Sequence, residues 1–207
     1  MDYPAMDHRD FEIVERDVAF DGFFKIHRLS LKHRRFDGDW TPELRRELFV
    51  RGNATCVLPY DADRDQVVLC EQFRIGALER EGSPWLLELV AGMNEQGEDT
   101  EDVARREAME EAGLELGDLM PITSYLSSAG GSSERITLYC GQVDASTASG
   151  VHGLDEEHED IKVHVLTLDE ALAAVQDGTI DNAAAIIALQ WLALNRKDVR
   201  NRLRSAG

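Results

Sequence analysis

The sequence is short of the residues that mark several common classes of protein. It has three cysteines, at positions 56, 70 and 140, an odd number with no Cys-x-x-Cys pair. Neither a disulfide framework nor a cysteine metal site is indicated, and because each thiol lies in a strand-like run, buried free cysteines are expected. Positive charge is also scarce. The 22 lysines and arginines face 40 aspartates and glutamates, for a net charge of −18. Such a chain repels nucleic-acid phosphates, which argues against a nucleic-acid partner. The same repulsion acts on any phosphorylated ligand, so a phosphate site must be offset locally by a metal ion or arginine. No apolar run approaches the roughly 20 residues of a membrane span. The N-terminal residues lack the basic-then-apolar order of a secretory signal, and a cytoplasmic protein is expected. No repeat or low-complexity tract is present.

What remains is 207 residues with 43% apolar content, enough for one sizeable domain with at most a small appendage. Residues 1–9 are polar and are expected to be mobile or held by a partner. Short β-branched and aromatic runs from 11 to 36, the hairpin signal Asp37-Gly38 and a further run to Val50 read as a small antiparallel β-domain over residues 1–50. Its bases (His27, Arg28, Lys32, His33, Arg34, Arg35, Arg45, Arg46, Arg51) fit either a solvated face or a surface that meets phosphate or another subunit's acidic body.

Residues 51–207 form the main domain. Residues 54–60 are a near-continuous apolar run, as in a buried strand. A turn at 61–65, a strand at 66–73, a loop at 75–84 and a third strand at 85–91 follow. Strands at 122–127 and 136–143 flank a loop whose adjacent Gly130 and Gly131 allow unusual backbone angles. The long acidic loop at 144–160 has the length of a loop that is either functional or disordered. A strand at 161–168, a short helix at 169–176 ended by Gly178, and a longer helix at 182–195 capped by Asp181 complete the chain. The sum is an α+β fold, a mixed sheet flanked by helices.

The chemistry concentrates in residues 92–114, GMNEQGEDTEDVARREAMEEAGL. Asp99 or Thr100 can cap a helix whose first turn carries Glu101 and Asp102, and Gly113 can end it in the left-handed region. Glu107, Glu110 and Glu111 fall within about a 100° arc of one face. Carboxylates this close repel unless water screens them or a cation neutralises them. A solvated face is one reading. The other is a divalent-cation site, since hard oxygen donors on a rigid element suit Mg²⁺, with Mn²⁺ as a substitute.

The wider pattern decides between them. Gly92, five residues, Glu98, seven residues, Arg106-Glu107, Ala108, Met109, Glu110-Glu111, Ala112, Gly113 and Leu114 together resemble the Nudix box. The chain is thereby similar to the Nudix hydrolases, which cleave nucleoside diphosphates linked to another moiety. Strand, glycine loop and helix supply the context this box needs. Within that superfamily the chain looks most like the ADP-ribose pyrophosphatases. It shares Gly22-Phe23-Phe24, Arg45-Arg46-Glu47, Glu71-Gln72-Phe73-Arg74, Pro84-Trp85-Leu86-Leu87-Glu88, Gly130-Gly131-Ser132-Ser133-Glu134-Arg135 and Ile180-Asp181-Asn182-Ala183. Departures such as Phe73, where an aliphatic residue is common, leave the metal site untouched.

The resemblance implies a Nudix fold and Mg²⁺-dependent hydrolysis of ADP-ribose to AMP and ribose 5-phosphate. Glu107 and Glu111 would be the principal metal ligands, with Glu110 sharing and the Ala91 carbonyl adding an oxygen. Gly92, Glu98, Arg106 and Gly113 would shape the box, Arg106 facing away from Glu111 and pairing with Glu98. Glu157 in the late acidic loop is assigned as the base, with Glu159 its supporter or replacement. Arg46, Glu47, Arg74, Met93, Ser128 and Glu134 would contact substrate. The family is a homodimer that exchanges N-terminal β-domains. Two alternatives remain: a nucleotide-sugar hydrolase of the GDP-mannose type, and a ligand-sensing regulator. Such regulators usually carry a damaged box and an added DNA-binding segment, and neither is found here.

Overall fold

The computed structural model describes residues 6–205, and the expectation for residues 1–5 lies outside the described residues. The chain divides into two compact units. The first runs to Gly52 and contains a three-stranded antiparallel sheet in the order β1 (Phe11–Asp21), β2 (Lys25–His33) and β3 (Leu44–Val50). It also takes in Leu126–Glu134, a segment that a division at residue 50 would give to the second domain. That segment joins because Phe49 N–H donates to the Gly131 carbonyl at 2.8 Å and Ser133 N–H to the Phe49 carbonyl at 3.1 Å. Gly130 and Gly131 do not use the special backbone angles expected of them. Neither has positive φ, and a Cβ at either would meet nothing within 4 Å.

The second unit is built on a mixed sheet in the order β10 (Val151–His152), β11 (Ile161–Thr167), β5 (Gln66–Phe73), β4 (Ala54–Asp61), β9 (Arg135–Gln142) and β8 (Leu119–Leu126). Strand β4 runs parallel to β9 and antiparallel to β5. Strands β4 and β5 pair only at their shared turn, through Tyr60–Val67 and Asp61–Gln66. They then diverge, and the single strand expected at 85–91 is split to fill the fork. β6 (Trp85–Glu88) pairs with β5 and β7 (Val90–Met93) with β4, the break falling at buried Leu89.

Alternate residues of β4 and β5 face opposite layers, as the two-residue period of a strand requires. Val57, Val68 and Cys70 pack with Ala104, Ala108 and Ala112 of helix α1 (Thr100–Ala112). Leu58, Tyr60, Val67 and Leu69 pack with Leu168 and Ala171 of α2 (Leu168–Gln176) and Leu189 and Leu192 of α3 (Ala183–Ser205). Both faces of β4 are covered, which accounts for its continuous apolar run. The three cysteines are free and buried, as expected.

Two expectations for the last helix are corrected. Its cap is Asn182, whose Oδ1 accepts from Ala185 N–H at 3.1 Å, while Asp181 is occupied by Arg80. It also runs ten residues past Asn195. The polar sequence there reads as a helix end, but Val199 and Leu203 are buried and Arg196, Arg200 and Arg204 reach back to the turn at 61–65. No helix among the described residues is long and apolar enough to cross a membrane.

The same turn depends on Asp61, which is 2% exposed. Burial alone would raise its carboxyl. The Arg64 backbone N–H and guanidinium and the Ala145 N–H outweigh that and hold it below its ordinary range. A carboxyl so lowered contributes stability above its unfolded value near pH 4 and loses it as pH falls through the folded value. Asp61→Asn is therefore expected to cost about 2 kcal/mol at pH 7. In urea melts the gap to wild type narrows below about pH 4.

Candidate active site

Helix α1 carries the carboxylates, and its ends are set as its sequence requires. Asp99 is the N-cap, accepting from Glu101 N–H at 2.9 Å, and Gly113 ends the helix at φ 64°. Alanines at 104, 108 and 112 form the face against the sheet. Such small side chains permit close approach, and the neighbouring Glu111 is carried inward with them. It is 2% exposed, and its Oε2 accepts the Ala91 N–H at 2.8 Å. A strand residue's N–H and C=O leave the strand on the same side. The Ala91 carbonyl is thus on the side of Glu111.

Burial pushes the Glu111 carboxyl up to about 8; the Ala91 N–H opposes this, the Glu107 charge adds to it, Arg74 opposes and Glu159 adds. Glu107 is likewise raised by burial, with Arg106 pulling it down and Glu110 and Glu159 pushing it up. Arg106 pairs with Glu98 at 3.1 Å, as expected. It does more than that. Its Nη1 also donates to Glu107 at 2.7 Å and Glu110 at 3.0 Å, so the guanidinium stands among three carboxylates. Gly92 lies under Glu107, where a Cβ would come within 1.6 Å of Oε1. Any side chain at 92 evicts that carboxylate.

Among the described residues, no three acidic, histidine or cysteine side chains converge on a single point. Arg106 bridges Glu107 and Glu110, the pair that a cation would have to share. The donor set nevertheless fits a divalent cation. It is all oxygen, it is partly out of water, and two of its members are held above their ordinary range by burial and mutual repulsion, which a cation relieves.

Arg74, just beyond β5, donates to Glu88 at 2.5 Å. Met93, at the end of β7, is exposed. The late loop is tied to the end of α1, Gly153 N–H donating to the Glu110 carbonyl at 3.2 Å. Gly153 has φ 110°, and a Cβ there would lie 2.5 Å from that of Glu159. Glu159 is half-buried, accepts from Leu154 N–H at 3.1 Å, and acts electrostatically on both Glu107 and Glu111. Glu157 sits in a short turn at Asp155–Glu157 and is exposed.

The remaining candidates belong to the first unit. Arg46 and Glu47 lie exposed on β3, and Ser128 is exposed. Glu134 is buried and ion-paired with Arg51 at 2.9 Å. Sequence reasoning did not assign the partners Glu88 and Arg51 a role, nor Gly153. Glu88 stood in the matched stretch ending at Glu88, whereas Gly153 carried no signal beyond its place in a long loop.

A helix of paired carboxylates fed by a glycine loop, on a sheet between helices, defines a Nudix hydrolase. Residues 50–189 match the NUDIX domain, and the chain belongs to that family. It is similar to the ADP-ribose pyrophosphatase of Escherichia coli (strain K12), with 52% identity over 192 residues, 93% of this chain and 92% of that one. It is 48% identical over 190 residues to the ADP-ribose pyrophosphatase of Haemophilus influenzae, covering 90% and 88% of the two chains. The GDP-mannose pyrophosphatase of Escherichia coli O1:K1 / APEC is more distant, at 30% over 184 residues, 88% of this chain and 95% of that protein. Among solved structures, an ADP compounds hydrolase shares the fold with a TM-score of 0.68 at 18% identity, covering 89% of this chain and 95% of that one.

Two outcomes follow from the buried carboxylate. In the cation-free protein Glu111 holds its proton to about pH 8, whereas in the unfolded chain it ionises near its ordinary value of 4.5. The folded state therefore binds the extra proton between these limits, and stability falls as pH rises through them. Glu111→Gln escapes that loss, so in thermal melts with EDTA its Tm gains on wild type from pH 5 to pH 9. Gly92→Ala is expected to weaken Mn²⁺ binding at least about tenfold by calorimetric titration, with an unchanged far-ultraviolet circular dichroism spectrum.

Proposed function

We propose that this chain hydrolyses the pyrophosphate of ADP-ribose to AMP and ribose 5-phosphate. The observation that carries this reading is that the 52% identity to the Escherichia coli ADP-ribose pyrophosphatase extends over 93% of the chain, through both units and the complete box.

Glu107 and Glu111, with Glu110 and the Ala91 carbonyl, would hold Mg²⁺, or Mn²⁺ in its place. When bound, such a cation supplies neutralisation of phosphoryl charge and a more acidic water. Arg106 bridges Glu107 and Glu110 and ties them to Glu98, which offsets their repulsion and holds the donor set in place. Arg74 meets a phosphate by exchanging its Glu88 partner. Glu157 takes the proton of the attacking water, with Glu159 as its supporter or replacement. The electrostatic coupling of Glu159 to Glu107 and Glu111 supports a place for that loop beside the carboxylates. Arg46, Glu47, Met93, Ser128 and Glu134 are assigned to substrate contact.

We also infer a homodimer that exchanges N-terminal β-domains. Its support is β1, exposed along its full length with Phe11, Ile13, Val14, Val18 and Phe20 open to water. An apolar surface of this kind marks an interaction site.

The test is product release from ADP-ribose, GDP-mannose, NADH and diadenosine polyphosphates with Mg²⁺. ADP-ribose is expected to give the highest kcat/KM. Glu111→Gln should lose at least about 10³-fold, and substitution of the base, Glu157→Gln or Glu159→Gln, roughly 10²- to 10⁴-fold. A preference for GDP-mannose would instead support the second reading, the activity named for the 30% identical relative.

A further inference from the structure

Gln72 is 7% exposed, and its amide Nε2 is fully shielded without a hydrogen-bond partner among the described residues. A buried donor left unpaired costs as much as a lost hydrogen bond, so such a group calls for a reason.

Its place in the sheet supplies one. Side chains two apart on a strand share a face, as do those directly opposite on a neighbouring strand. Val68 and Cys70 face α1, and the Cys70 thiol lies 3.9 Å from the Glu111 carbonyl oxygen. Gln72 is next in that row. Arg74 follows it, its backbone still extended at φ −126° and ψ 116°. Across the ladder Glu88 faces Cys70 and Leu86 faces Gln72. The ion pair between Arg74 and Glu88 therefore passes diagonally across the Gln72–Leu86 position. Continuing the β5–β11 register places buried Ile161 on the other flank. Gln72 thus stands in the row between Cys70, which touches the Glu111 backbone, and the arginine assigned to phosphate.

We propose that Gln72 is a substrate-binding residue whose Nε2–H₂ donates to an oxygen of the pyrophosphate when Arg74 exchanges Glu88 for phosphate. This rests on the reading of the site as a nucleoside-diphosphate hydrolase. A neutral donor suits the position, because a further carboxylate would repel the ligand and a further cation would pair with Glu88 or Glu111.

The test uses the full-length chain and Gln72→Met, which keeps the length and removes the donor. ADP-ribose binding is measured by calorimetry in EDTA, where turnover stops, and kcat/KM is measured with Mg²⁺. For Gln72→Met, binding and kcat/KM should each fall roughly ten- to hundredfold. Its Tm should equal or exceed that of wild type, because the unpaired donor is gone, and its Mn²⁺ affinity should not move. ADP-ribose binding and kcat/KM within twofold of wild type overturn the proposal. So does a fall in Tm that accounts for the lost activity, which would make Gln72 a structural residue. Wild type that binds ADP-ribose without turning it over overturns the hydrolase reading alone, and the comparison of binding then still decides on Gln72.

Discussion

A carboxylate taken out of water must be neutralised, and the second unit is arranged around one such group, Glu111. Its proton, the Ala91 N–H and a cation are the three available means, and only the second is built permanently into the fold. That hydrogen bond requires an extended strand directly under α1 with its N–H unclaimed by a neighbouring strand. The break at Leu89 provides it, because β7 pairs with β4 while β6 pairs with β5. The alanine face of α1 and the bare Cα of Gly92 then allow the approach that puts Glu107 over the loop.

The fork between β4 and β5 is thus the architectural feature that makes the site. Were the two strands paired along their length, there would be no room for β6 and β7 between them. Instead one arm of the fork carries Cys70, Gln72, Arg74 and Glu88, and the other presents Ala91 and Gly92. Acidic helix and basic strand end meet at this gap. The Arg106 guanidinium among Glu98, Glu107 and Glu110 shows a local remedy in a chain of net charge −18: this cluster of like charge holds a fixed counter-charge.

Different parts of this were legible in the sequence to different degrees. The strands 54–61 and 66–73 and the helix of the box were evident within a residue or two, because their patterning and caps are local. The cap at Asp99 or Thr100 and the stop at Gly113 follow from local sequence, and the Arg106–Glu98 pair from the resemblance to the box. The split of the third strand was not legible, since residues 85–91 carry one unbroken apolar signal and the break responds to strands far away in sequence. The last helix was read too short for a similar reason. Arg196, Arg200 and Arg204 look like a solvated end until the turn at 61–65 is brought beneath them.

The class of protein is written in the residue order, because the box is a set of fixed spacings on one helix and its glycine loop, and those interactions are short in range. How its charges are balanced emerges from the folded chain. Burial of Glu111, the seat of Arg106 between two glutamates, the coupling of Glu159 to the box and the unpaired amide of Gln72 arise from elements distant in sequence. Desolvation and Coulomb energy depend on separation in space, which residue order alone does not encode.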